Sequence, residues 1–355
     1  MKVRRIIAAF DSFKGCITAE QACRAAAEGI HDALPSAETV QLPLSDGGEG
    51  LVSCIKRFIP LNDIALKVHG PLMEWVDCSY ALGLDGKTAF MEMAAASGLP
   101  LVPEDRRNPL LTTTYGVGEM IADAIDRCCE RIVMGIGGSA TCDAGEGMLK
   151  ALRDLDCRTD ICSFLVACDV NNPLYGENGA AYVFGPQKGA SPEQLPLLDG
   201  RLRQFAAMTE KKGIAAEELA DYPGAGAAGG LGYAFLAYLD AELRPGIDIL
   251  LDIADFDALL RDADLVITGE GRSDAQTLMG KLPYGVLQRC RRAGVPLWLL
   301  SGAIDKAAEE LSHSFSLVRS INENDPRPLP ELLQPERAME NLKRTVSYCL
   351  KEYSW

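Results

Sequence analysis

The stretch Ile132-Val133-Met134-Gly135-Ile136-Gly137-Gly138-Ser139-Ala140-Thr141-Cys142-Asp143-Ala144-Gly145 decides how this chain is read. Its apolar start reads as a short buried strand, which runs into a glycine-rich turn. Glycines let backbone N–H groups approach an anion, and a following helix aims its positive end at the same place. Ser139, Thr141 and Asp143 supply the hydroxyls and the carboxylate that a phosphate-bound Mg²⁺ prefers. Taken alone, the turn stays open between a phosphoryl-transfer site, a dinucleotide site and plain packing.

Working outward, the same arrangement of apolar strand, glycine–acid–hydroxyl loop and helical pattern recurs. Val3–Phe10 meets Asp11-Ser12-Phe13-Lys14-Gly15, and a helix opens at Thr18 with Gln21 completing a capping box. Thr39–Leu44 meets Ser45-Asp46-Gly47-Gly48-Glu49-Gly50. Phe164–Cys168 meets Asp169-Val170-Asn171, Leu265–Thr268 meets Gly269-Glu270-Gly271-Arg272-Ser273-Asp274, and Leu297–Leu300 meets Ser301-Gly302. Alternation of this kind predicts an α/β fold with largely parallel sheets, whose ligands collect beyond the carboxyl ends of the strands. So many such loops predict one cleft lined from many strands. The middle is less regular: Trp75–Gly83 and Thr88–Met93 read as a hairpin around Leu84-Asp85-Gly86. Gly224–Gly232 is a run of small residues leading into a helix.

A length of 355 residues with 48% apolar content predicts two domains. The apolar start is too short for a signal peptide, and no run is long enough to span a bilayer. Twelve scattered cysteines without a C-x-x-C pair, and only three histidines, argue for reduced thiols and against a zinc site. These features predict a cytoplasmic protein. A net charge of −15 disfavours nucleic acid and anionic membranes as partners. Any phosphate site must therefore be built locally, from N–H groups, a few cations and Mg²⁺.

Lys14 and Arg272 are the candidates to hold a carboxylate or phosphoryl group, with Ser12, Glu270 and Lys281 beside them. Asp46 and Glu49, with Gly47 and Gly48 between them, suit a metal or a substrate hydroxyl, and equally a helix cap. Gly137, Gly138, Ser139 and Thr141 would cradle phosphate, with Lys188 contributing from the turn Gly185–Ala190. Asp143 and Asp274 are the expected metal ligands, and Asp46 or Asp169 the carboxylate that orients a hydroxyl. Gly135-x-Gly137-x-x-Ala140 also matches a loose dinucleotide fingerprint, which keeps a nicotinamide-dependent oxidoreductase open. Cys142 has no histidine nearby in sequence to activate it.

Together these motifs resemble the type I glycerate kinases, the bacterial glycerate 2-kinase group. The resemblance rests on Asp11–Gly15, Pro43–Gly50, Glu92–Leu99, Asn108–Leu110 with Thr112–Gly116, Gly135–Gly147, Cys168–Val170 with Asn172–Leu174, Phe184–Ala190, Pro223–Gly232 and Asp264–Pro283. It implies ATP- and Mg²⁺-dependent phosphorylation of D-glycerate to 2-phosphoglycerate, with a homodimer as an open assembly state. It also implies two α/β domains: a flavodoxin-like (Rossmann-type) one from both chain ends, expected at 1–68 plus 292–355, and an inserted restriction-endonuclease-like one at 69–291. Three departures stand out. Cys142-Asp143-Ala144 replaces the family's Asn-Asp-Gly, Phe10 replaces a proline, and the stretch from Leu152 to Val166 is short. A non-catalytic nucleotide- or glycerate-binding sensor is what these departures would leave if they broke the site.

Overall fold

The computed structural model describes residues 4–45, 50–209, 215–278, 280–305, 309–323 and 325–353. In chain order it begins with β1 (Arg5–Phe10), the helix Ala19–Ala33 and β2 (Glu38–Pro43). It continues through β3 (Leu61–His69), β4 (Trp75–Gly83), β5 (Thr88–Glu92), β6 (Arg131–Gly135), β7 (Ser163–Ala167) and β8 (Glu242–Arg244). It then returns through β9 (Leu265–Gly269), β10 (Arg272–Ser273), β11 (Leu297–Ser301), β12 (Ala303–Ile304) and β13 (Leu317–Ser320) to the last helix, Pro335–Glu352. No helix among the described residues is long and apolar enough to cross a membrane.

The chain divides into two compact units, Met1–Asp46 with Ile247–Trp355, and Gly47–Gly246. The expected boundaries need correcting at both ends. β9 pairs with β1, from Ile6↔Leu265 to Phe10↔Gly269, so it belongs to the first unit and not to the insertion. β3 pairs with β4 over nine residues and belongs to the second. The β9–β1 pairing joins strands about 260 residues apart, which local composition does not record.

The first unit holds a sheet ordered β13-β11-β9-β1-β2, parallel throughout. Ile6, Ala8, Phe10, Leu265, Ile267, Trp298 and Leu300 form its buried face, covered by the helices Ala19–Ala33 and Pro335–Glu352. The predicted capping box is present: the Gln21 N–H donates to Thr18 Oγ1, and the Thr18 N–H donates to Gln21 Oε1. From β1 the chain moves first to one side (β2) and then to the other (β9, β11, β13). Ligands of open parallel sheets gather beyond the strand ends at such a reversal.

The second unit holds a six-stranded mixed sheet ordered β3-β4-β5-β6-β7-β8. The first two pairings are antiparallel, including the predicted hairpin β4–β5, and the last three are parallel. Its core packs the apolar faces of β5, β6 and β7 against the helices Tyr115–Asp126 and Glu146–Asp154. The glycine–acid loops thus fall into two groups, one at the strand ends of each unit.

Candidate functional site

In the first unit the loops after β1 and β9 meet where the strand order reverses, and the Asp11 N–H donates to the Gly269 carbonyl at 3.1 Å. A cavity of about 400 Å³ opens there, walled by Asp11, Ser12, Lys14, Glu270, Arg272 and Lys281, with leucines of 329–333 on another side. Buried Asp11 accepts from the Ser12 N–H at 2.6 Å, which fixes the turn that carries Lys14. Glu270 is also buried, and its Oε1 accepts from Ser273 Oγ at 3.0 Å and Thr277 Oγ1 at 2.7 Å. Ser273 Oγ lies 2.7 Å from Ser301 Oγ, which ties this carboxylate to β11. Arg272 is largely exposed and lies 3.4 Å from Asp305. Lys281 Nζ sits 3.6 Å from Asp274. Two of the cavity's features had no signal in the motif reading: Asp11 as a buried brace, and Asn322, whose Nδ2 donates to the Gly302 carbonyl at 2.9 Å.

Asp46, Gly47, Gly48 and Glu49 lie outside the described residues.

In the second unit the quoted stretch leaves β6 as a loop, not as a helix start. The next helix begins only at Glu146. A dinucleotide turn opens a helix directly, and the acid about 20 residues on sits at a strand end. Asp154 and Asp156 lie instead at and just beyond that helix's end. This geometry does not support the nicotinamide reading.

Gly137, Gly138, Ser139, Asp169, Gln187 and Lys188 share one cavity of about 450 Å³. The loop is fixed by its neighbours: the Leu99 N–H donates to the Gly138 carbonyl at 2.8 Å, and the Ala140 N–H to the Ser97 carbonyl at 2.9 Å. The N–H groups of Gly137 and Gly138 make no hydrogen bond among the described residues. Lys188 lies beneath the loop, 3% exposed. Its ammonium donates to Ser139 Oγ and to the Thr141 carbonyl, both at 2.7 Å. Burial lowers its pKa from an ordinary 10.5 to about 8, and Cys142 and Asp143 oppose that shift only in part. A buried lysine without a paired carboxylate is costly unless something anionic arrives to meet it. The Thr141 hydroxyl is fully buried and has no partner among the described residues. Asp169 is exposed on the wall, and its Oδ1 accepts from the Gly246 N–H at 2.8 Å.

The small-residue run Gly224–Gly232 packs directly against this loop. Gly229 has φ +71°, and a Cβ there would lie 2.0 Å from the Thr141 carbonyl oxygen. The Ala144 N–H in turn donates to the Gly229 carbonyl at 3.0 Å.

Asp143, expected at the metal, is engaged by the protein itself. Its Oδ2 accepts from the Thr114 N–H (2.8 Å), Thr114 Oγ1 (2.9 Å) and the Gly147 N–H (3.2 Å), and its Oδ1 accepts from the Gly145 N–H (3.1 Å). Three donors converge on Oδ2, while Oδ1 meets a single one. Asp143 is a clamp that holds the loop to two helix starts. Cys142 beside it is buried among Leu174, Leu198 and Leu202, and burial pushes its thiol up to about 11. It is therefore an apolar filler and a poor nucleophile. Ala144 adopts φ +53°, a conformation that suits the glycine it replaces. The departures in this motif leave its clamp intact.

The description "Glycerate kinase family" matches residues 6–153 and 152–353 of the chain. The glycerate kinase of Halalkalibacterium halodurans is 43% identical over 374 aligned positions, covering 96% of this chain and 97% of the relative. That alignment is longer than the chain, in keeping with the short connection after Leu152. The glycerate 2-kinase of Escherichia coli K12 is 39% identical over 89% of this chain and 90% of its own length. A solved structure from Salmonella typhimurium LT2, assigned provisionally as glycerate kinase 2, superposes with a TM-score of 0.79 at 38% identity, covering 98% and 97% of the two chains. With both units matched from end to end, this chain belongs to the glycerate kinase family.

Proposed function

We propose that the protein transfers the γ-phosphoryl group of ATP to the 2-hydroxyl of D-glycerate in a Mg²⁺-dependent reaction in the cytoplasm. The observation that carries this reading is Lys188, buried without a carboxylate partner and held by Ser139 and Thr141 under the Gly137–Gly138 turn. Phosphoryl transfer needs positioning and charge neutralisation more than covalent help. In this reading the second unit holds the donor phosphates: the free N–H groups of Gly137 and Gly138 face the phosphate oxygens, Ser139 adds a hydroxyl, and Lys188 adds charge. Asp169 would hold the Mg²⁺, since one or two carboxylates plus phosphate oxygens complete such a site. Bound Mg²⁺ supplies neutralisation of the charge on the phosphoryl oxygens.

The first unit holds the acceptor, with Lys14 and Arg272 on the glycerate carboxylate and Ser12 and Lys281 beside them. Glu270 positions the loop through Ser273 and Thr277. Asp46 is the carboxylate we assign to orienting the attacking hydroxyl. The strand order of the first unit is that of flavodoxin-like sheets, and we assign the mixed sheet of the second to the restriction-endonuclease-like class.

The test is incubation with ATP, Mg²⁺ and D-glycerate, coupled to enolase with and without phosphoglycerate mutase. Signal without mutase identifies 2-phosphoglycerate. Signal that requires mutase identifies the 3-isomer and corrects the regiochemistry. Absence of ADP release rejects the reaction.

A further inference from the structure

Arg107 occupies the wall of the second unit's cavity, opposite no assigned role. Its Nε is buried and has no hydrogen-bond partner. Among the described residues its one ion pair is with Glu104 at 3.8 Å, where the arginine is 28% and the glutamate 87% exposed. Among the described residues its side chain donates no hydrogen bond. A guanidinium carries five N–H donors in a planar fork, so leaving them unmet at a half-buried position is unfavourable without a ligand.

The backbone shows why it sits there. Gly189 follows Lys188 and has φ +92°, and a Cβ on it would lie 2.4 Å from the Arg107 carbonyl oxygen. The two cation-bearing segments are thus packed backbone to backbone, which fixes Arg107 relative to Lys188. Asp169 is the one carboxylate on the cavity wall among the described residues. In a chain with net charge −15, two cations against one carboxylate make this cavity locally attractive to a polyanion.

We propose that Arg107 is the second cation of the donor site and forks onto the phosphate chain of the nucleotide. The assignment rests on the reading that the second unit holds the donor phosphates. Lys188 acts as a point charge under the glycine turn, while Arg107 supplies two directed donors to adjacent phosphate oxygens. Discrimination between nucleotides by phosphate number follows, because a longer phosphate chain offers oxygens to both cations.

The test is isothermal titration of ATP, ADP and AMP, each with Mg²⁺, into the wild type, Arg107→Ala, Arg107→Lys and Lys188→Met. Arg107→Ala is expected to weaken ATP by about tenfold or more, the loss of one charge-assisted hydrogen bond, and to leave AMP within about twofold. Arg107→Lys should recover only part of the loss, and millimolar guanidinium should restore ATP binding to the alanine variant. The melting temperature should be unchanged, since no protein hydrogen bond is removed. Equal weakening of all three nucleotides, or no weakening of ATP while Lys188→Met weakens it, overturns the role of Arg107 alone. ATP binding untouched in every variant of an enzyme that still phosphorylates glycerate overturns the donor-site reading beneath it.

Discussion

Replacing Lys188 by methionine separates stability from function in a way that a structural lysine would not. The side chain is fully buried, and its pKa falls from 10.5 to about 8. Each tenfold in proton affinity is worth about 1.4 kcal/mol, so the charged form costs the fold about 3 kcal/mol. The sign follows from linkage. A lysine lowered in the folded state binds fewer protons there than in the unfolded chain between pH 8 and pH 10.5. Its penalty is fully present below pH 8 and is lost as pH rises toward 10.5. Lys188→Met has no such charge. The stability of wild type minus variant, measured by urea unfolding with linear extrapolation, should therefore rise by about 3 kcal/mol across that window. Taking the difference cancels titrating groups remote from Lys188, and Cys142, which interacts with it, is replaced by alanine in both proteins. Nucleotide affinity should move the opposite way. Wild-type ATP binding should weaken as pH rises through about 8 and the ammonium is lost. The variant should bind ATP about tenfold or more weakly at neutral pH, with no inflection there. A pH-independent stability difference, or a variant that binds ATP normally, refutes the reasoning.

Other substitutions probe the remaining assignments. Asp143→Asn should lower stability by about 2 kcal/mol through the loss of charge-assisted bonds to Thr114 and Gly147, seen as a lower melting temperature, with the Mg²⁺ requirement unchanged. A raised Mg²⁺ requirement in the folded variant would return Asp143 to the metal. Ala144→Gly should raise stability by roughly 1 kcal/mol, because it removes a Cβ from a left-handed residue, and thermal melts read this directly. Arg272→Ala should leave stability within about 0.5 kcal/mol, since its ion pair with Asp305 is exposed, yet raise the KM for glycerate. An unchanged KM removes Arg272 from the acceptor site.

Much of this was legible locally. The Thr18–Gln21 capping box, the hairpin around Asp85-Gly86 and the strands ahead of each glycine loop all carry short-range signals, and each element lies close to where it was expected. β3 carried its own signal, with Ile64, Leu66 and Val68 alternating on one face. No glycine–acid loop follows it, so it lacks the punctuation that marks the other strands. The unit boundaries were not legible, because β9 joins β1 from about 260 residues away. The clamp made by Asp143 was hidden for a related reason: a carboxylate in a glycine loop suits a metal, and only the fold brings Thr114 to it. Arg107 lay next to a quoted motif but on no strand end, and its significance comes entirely from the missing partner of a buried nitrogen.

The central claim is that the second unit's glycine loop and Lys188 receive the donor phosphates. Amide hydrogen exchange of the protein with a non-hydrolysable ATP analogue and Mg²⁺ tests it most directly. The account predicts new protection at Gly137–Thr141 and at Pro186–Ala190. Protection confined to Asp11–Gly15 and Gly269–Asp274 would contradict it and exchange the roles of the two units.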